Sequence, residues 1–165
     1  MVVKRADASL GFEKLTHLLI IYHSQSATTT ALADAIAQGA ELEKSIDTVK
    51  KLAFDSDIND LQWADAIIFG SPENFGYMSG ALKDFFDRNY YELEGKVEAV
   101  PYAIFVSASS DGTGAVESIR RICRGLNLKE VQEPLVLTKK LSESDQHRLR
   151  DFGMTMAVGI DAGIF

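Results

Sequence analysis

Along almost the whole chain, apolar runs of strand length alternate with stretches of helical period, and this alternation admits very few folds. The run Leu18-Leu19-Ile20-Ile21-Tyr22 is apolar on both faces, as a central parallel strand covered on both sides requires. Leu32, Ala35, Ile36, Gly39 and Ala40 then recur at helical spacing, which places a narrow apolar stripe on a helix starting near Thr28. Further strands are expected over residues 48–52, 66–69, 103–106 and 135–137, the third ending at Gly70-Ser71-Pro72. Between them fall a short helix or turn at 58–63, a helix from near Ser79 that buries Leu82, Phe85 and Phe86, and a helix carrying Val116, Ile119, Ile122 and Cys123. The closing helix sets Leu149, Phe152, Gly153, Met156, Ala157 and Ile160 at steps of three and four. A capping-box pattern, Ser142-Glu143-Ser144-Asp145, precedes it. Parallel strands need crossover helices, so the pattern is that of repeated βαβ units, an α/β protein and not a sandwich or a bundle.

The 165 residues fit one domain. Residues 1–14 show no sustained period and are expected to form an N-terminal extension before a domain of residues 15–165. Seventeen basic and twenty-four acidic side chains leave a formal charge of -7, which disfavours nucleic acid and anionic membrane surfaces as partners. No apolar run approaches the roughly 18 residues that cross a bilayer. Cys123 is the only cysteine, so no intrachain disulfide can form, and no group of His, Cys, Asp and Glu has metal-ligand spacing. The start of the chain lacks the basic-then-apolar pattern of a secretory signal, and a cytoplasmic location is the expectation.

In an open doubly wound sheet, ligands sit outside the carboxyl ends of the strands, where the winding reverses. Three loops qualify. The first, His23-Ser24-Gln25-Ser26-Ala27-Thr28-Thr29-Thr30, offers hydroxyls and N–H groups at a helix start, with no Lys or Arg from Tyr22 through Glu43. A phosphate there is held by neutral donors and the helix dipole, which excludes a Walker-type loop. The plainer reading is that Ser24, Ser26 and Thr28 cap the helix. The second loop runs from Gly70 to Gly80 and carries Phe75, free to lie flat on a planar ligand or to plug the sheet edge. The third, Ser107 to Gly114, combines small residues with two glycines, so that the backbone can approach a flat ring.

The stretch Trp63-Ala64-Asp65-Ala66-Ile67-Ile68-Phe69-Gly70-Ser71-Pro72, continued by Gly76-Tyr77-Met78-Ser79-Gly80-Ala81-Leu82-Lys83-Asp84-Phe85-Phe86-Asp87-Arg88, resembles the flavodoxin-like superfamily. It looks especially like the NAD(P)H:quinone oxidoreductases of the tryptophan-repressor-binding-protein type and the related flavodoxin-type FMN reductases. The resemblance extends from Thr16 to the end. It implies a three-layer, doubly wound, five-stranded parallel sheet of order 2-1-3-4-5 that binds flavin mononucleotide (FMN). Carried over by position, it puts Ser24, Gln25, Ser26, Ala27, Thr28 and Thr29 around the FMN phosphate. Pro72, Glu73, Asn74, Phe75 and Gly76 would border the flavin ring, as would Ser107, Ala108 and Ser109, and Asp111, Gly112, Thr113 and Gly114. Ala27 stands where the family commonly has glycine.

Electron-carrier flavodoxins usually sandwich the ring between aromatics from both ring-binding loops, whereas residues 107–116 contain none. One open face admits a nicotinamide or a quinone, which makes hydride transfer at the flavin geometrically feasible. The cofactor carries that chemistry and no catalytic side chain is assigned. The expectation is therefore an FMN-dependent oxidoreductase moving electrons from NAD(P)H to a quinone or similar acceptor. The alternative is a flavodoxin carrying electrons between redox partners, and a homo-oligomer is compatible with either. A phosphoacceptor receiver domain shares the strand order, but it needs acidic residues after strands one and three and a lysine after strand four. Here those places hold His23-Ser24, Gly70-Ser71 and Ser107.

Overall fold

The computed structural model describes residues 15–165; the extension expected for residues 1–14 lies outside them. The elements run β1 (Thr16–Tyr22), α1 (Thr28–Ala40), β2 (Ile46–Leu52), α2 (Ile58–Trp63), β3 (Ala66–Pro72) and α3 (Gly80–Leu93). They continue as β4 (Pro101–Ser107), α4 (Thr113–Gly125), β5 (Lys129–Glu130), β6 (Leu135–Leu137) and α5 (Glu143–Asp161). All strand pairs are parallel, in the order β2-β1-β3-β4, with β5 and β6 both on the outer edge of β4. This is the flavodoxin-like order 2-1-3-4-5.

Two elements differ from expectation. The second strand starts at Ile46 and not at Thr48, because the sheet edge tolerates an exposed Asp47 opposite His17. The fifth strand position is filled in two pieces: Lys129–Glu130 pairs with Pro101 and Tyr102, and Leu135–Leu137 with Phe105 to Ser107. Pro134 lies in the break, where a residue without an N–H cannot serve the ladder.

Alternation along the strands divides the core in two. Leu19, Ile21, Ile67, Phe69, Ile104 and Val106 pack with Leu61 of α2, Phe85 of α3 and Ile119 of α4. Leu18, Ile20, Ile68, Ala103 and Phe105 face the opposite way, against Leu32 of α1 and Leu149 of α5. The two helices on that second face meet through glycine. A Cβ on Gly39 would stand 2.6 Å from the Arg150 carbonyl carbon, and one on Gly153 would stand 3.1 Å from the Ala40 nitrogen. The Ser142–Asp145 capping box that starts α5 is formed as its sequence pattern indicates.

The consequence for function lies at one edge. β1, β3, β4 and β6 all end on the same side of the sheet, and β1 has its chain neighbours β2 and β3 on opposite flanks. The crevice where the winding reverses opens there. Among the described residues, no helix is long and apolar enough to cross a membrane.

Candidate functional site

The loop after β1 reaches α1 through Ala27, whose backbone is left-handed with φ 63. That conformation costs an L-residue about 1–2 kcal/mol and is the one a glycine would adopt freely. No side chain caps Ala27, and the first turn of α1 holds no acidic residue. The positive end of the helix therefore faces no negative charge of its own. The capping reading holds for Ser24 alone: its Oγ accepts from the Thr30 N–H at 3.2 Å. The Ser26 and Thr28 hydroxyls instead face each other at 3.4 Å on the exposed surface. Thr29 is buried, and its hydroxyl meets that of Ser107 at 2.9 Å, which joins the first loop to the end of β4.

The second loop is a tight hairpin. Asn74 and Tyr77 exchange backbone hydrogen bonds of 2.9 and 3.0 Å around Phe75 and Gly76, both at positive φ, the pattern of a type I′ turn. Phe75 is fully exposed in this strained conformation, so it does not plug the sheet edge. Asn74 Nδ2 donates to Gln25 Oε1 at 3.1 Å across to the first loop. Glu73 binds the third loop three ways: its N–H donates to the Ser107 carbonyl at 2.8 Å, and its carboxylate accepts from Ser110 Oγ at 3.0 Å and Ala115 N–H at 3.1 Å. Ser71 Oγ takes the Ser79 N–H at 2.8 Å, and Ser118 Oγ takes that of Met78 at 3.0 Å.

In the third loop, Asp111 Oδ1 accepts from the Thr113 N–H at 2.9 Å, and that bond holds its carboxyl below the usual range. Gly112 starts α4 at φ 73, where a Cβ would press on Val136 at 2.6 Å. Gly114 lies against the hairpin itself: a Cβ there would stand 2.9 Å from Gly76 Cα and closer still to its carbonyl. The second and third loops thus touch backbone to backbone, and this contact requires glycine.

The three loops border a cavity of about 570 Å³, within the range of small-molecule sites. Its lining includes Ser26, Thr28, Glu73 and residues 107–109, and also Leu137, Thr138, Lys139 and Lys140 from a fourth loop, between β6 and α5. Sequence reasoning missed that fourth wall. Its signal was the carboxyl-end rule itself, applied to the strand next to β4. A hollow of about 630 Å³ near the end of α5 is lined mainly by Met154, Val158, Ile164 and Phe165. Its lining is mostly apolar, so it gathers little of the polar chemistry found at the strand ends.

His23 is partly buried, as its loop position suggests, but its Nδ1 finds no hydrogen-bond partner among the described residues. Burial lowers its pKa, so the imidazole is neutral near pH 7. Its ring meets Phe54 edge-on at 5.9 Å. His17, by contrast, stacks on Trp63 at 4.3 Å and lies beside Asp65. Arg120 is no free surface cation: it holds Glu130 at 2.8 Å and Glu117 at 2.8 Å. Cys123 is a buried core residue whose thiol is pushed up by burial. No group of three or more potential metal ligands occurs among the described residues.

Such a site can hold an anion at the head of α1 and a flat group beside the joined hairpin and third loop. A family model described as NADPH-dependent FMN reductase matches residues 19–142. A flavodoxin of Aquifex aeolicus (strain VF5) is 30% identical over 97 residues, which cover 59% of this chain and 52% of that protein. An NAD(P)H dehydrogenase (quinone) of Archaeoglobus fulgidus is 37% identical over an alignment of 115 residues, covering 52% of this chain and 60% of the relative. The chain thus spans little more than half the length of the curated relatives it matches. Among solved structures, an archaeal flavodoxin superposes with a TM-score of 0.77 at 21% identity, over 88% of this chain and 99% of the other. A flavodoxin described as a WrbA-like protein from Agrobacterium tumefaciens gives 0.73 at 20% identity, over 89% and 98%. These two likenesses show the fold.

Proposed function

The chain belongs to the NADPH-dependent FMN reductase family, and from that premise we propose that it binds one FMN at the carboxyl edge of its sheet and passes electrons through it from NAD(P)H to a quinone or similar acceptor. The observation that carries this reading is the asymmetry of the ring site. The hairpin presents a fully exposed Phe75, while the facing loop, residues 107–116, presents no aromatic at all.

The residues present suit the cofactor. Ser24, Gln25, Ser26, Ala27, Thr28 and Thr29 would surround the phosphate, with the exposed Ser26 and Thr28 hydroxyls and the N–H groups at the head of α1 as its donors. Residues 72–76 would border the ring on one side, and Ser107 to Ser109 with Asp111 to Gly114 on the other. Glycine at 112 and 114 lets Val136 and the Gly76 peptide pack directly on the third loop, which fixes that loop against the hairpin beside the proposed ring site. When bound, the flavin supplies a centre that accepts hydride and releases electrons to an acceptor. The chain's part is to orient the ring and leave one face open. Glu73 and Asp111 are both committed to backbone hydrogen bonds, so neither is placed to act as a free acid or base. In this reading the domain is residues 15–165, and the setting is cytoplasmic, alongside the pyridine-nucleotide donor.

The carrier reading draws on the flavodoxin relative and on the charge of -7. A visible spectrum with added FMN, followed by anaerobic NADH and then NADPH, separates the two. Tight binding with bleaching within seconds is the expected result. Tight binding without bleaching would leave an electron carrier, and no binding at micromolar FMN would remove both.

A further inference from the structure

We propose that Lys139 and Lys140, on the loop between β6 and α5, complete a site for a phosphomonoester dianion whose other half is the hydroxyl pair of Ser26 and Thr28. The inference rests on the reading that phosphorylated ligands enter this cavity. Four observations carry it. Both lysines line the same cavity of about 570 Å³ as the two hydroxyls. The first loop has no cation of its own from Tyr22 through Glu43, so a dianion seated there lacks a counter-charge within that loop. Lys139 and Lys140, like Lys44, Lys96 and Lys129, form no ion pair among the described residues, whereas Lys50, Lys51, Lys83, Arg88 and Arg120 each stand against a carboxylate; of the unpaired lysines, these two line the cavity. Finally, a protein of net charge -7 repels a dianion at long range, and a local pair of ammonium groups offsets that field where the ligand docks.

The one carboxylate in the lining, Glu73, has its two oxygens engaged by Ser110 on the third loop and Ala115 in the first turn of α4. Asp145, at the start of α5, is bound by Ser142 and Arg148. Both stay charged, and Lys139 acts on Asp145 through space, so the two lysines must outweigh these carboxylates for a dianion to dock.

Two ligands of the proposed reaction present this chemistry: FMN through its 5′-phosphate, and NADPH through the 2′-phosphate that NADH lacks. The test uses the full chain and three double variants: Lys139→Ala with Lys140→Ala, Lys139→Arg with Lys140→Arg, and Lys44→Ala with Lys96→Ala. The last makes the same change in net charge at the opposite end of the sheet, in the α1–β2 and α3–β4 connections. Dissociation constants for FMN and riboflavin are measured by fluorescence quenching, and KM for NADPH and NADH on FMN-saturated protein. Salt is raised from about 0.01 M to about 0.15 M, which shortens the screening length from roughly 30 Å to 8 Å. The alanine pair at 139 and 140 is expected to weaken one phosphomonoester by about fivefold to tenfold at low salt. Its unphosphorylated partner is unchanged, the difference shrinks at high salt, and the arginine pair restores binding. A loss confined to FMN against riboflavin assigns the site to the cofactor; one confined to NADPH against NADH assigns it to the donor. The proposal is overturned if neither ligand weakens, if riboflavin or NADH weakens equally, or if the distant alanine pair has the same effect. Should the wild type bind neither flavin, the proposed function itself fails and this site with it.

Discussion

Replacing Gly114 by alanine tests whether the second and third loops are held together by their backbones. An added Cβ would lie 2.9 Å from Gly76 Cα and nearer still to the Gly76 carbonyl, where ordinary carbon contacts begin at about 3.5 Å. The hairpin must therefore retreat by more than about 0.5 Å. No flexible side chain can give way, because the obstacle is peptide backbone in a turn closed by hydrogen bonds of 2.9 and 3.0 Å. Overpacking of this kind costs about 1–3 kcal/mol. Against it stands the better helix propensity of alanine at the second residue of α4, about 1 kcal/mol. The net expectation is a loss of up to about 2 kcal/mol, or a fall in Tm of up to about 4–8 °C, read by urea and thermal unfolding. If the retreating peptide borders the proposed ring site, FMN affinity falls about tenfold or more. Gly80→Ala is the internal control: it opens α3 with nothing within 4 Å of the new Cβ, so it should be neutral or slightly stabilising and bind FMN normally. If Gly114→Ala matched Gly80→Ala in both stability and FMN affinity, the backbone contact between the loops would be refuted.

Phe75→Gly should separate stability from function. It relieves a left-handed backbone at φ 53, so unfolding free energy is unchanged or raised by up to about 1 kcal/mol, while loss of the aromatic wall weakens FMN by about threefold to tenfold; weaker folding with intact binding would contradict this role. Gly153→Ala forces a Cβ to within 3.1 Å of the Ala40 nitrogen and should cost about 1–3 kcal/mol in urea melts, without changing the ratio of FMN to riboflavin affinity. Burial lowers the pKa of His23, so the unfolded chain takes up the proton first. The stability from this group is complete above about pH 6.5 and is lost as pH falls below it. His23→Gln should flatten the fall in stability between about pH 7 and pH 5, and an unchanged slope would show that His23 does not control it.

The chain of local signals reaches far in this protein. The apolar runs at residues 18–22, 66–69 and 103–106 identify the three central strands because a strand buried on both faces must be apolar throughout, whatever its neighbours are. The Ser142–Asp145 box of α5 is equally local, since a capping box is built from residues three apart. Once the alternation is recognised, the rule that ligands gather at the carboxyl ends picks out all three loops that the fold brings together.

What the tertiary structure alone decided depends on segments far apart in sequence. Ala27 adopts a glycine-like conformation two residues before Thr29, whose hydroxyl reaches Ser107. Gly114 reads as an ordinary turn residue until Gly76 is set against it, and Gly39 and Gly153 read as members of apolar stripes until two helices cross at them. The split fifth strand and the Lys139–Lys140 wall were hidden for the same reason. Periodicity reports which side of an element is covered, but only the packed sheet determines which residues of another element cover it.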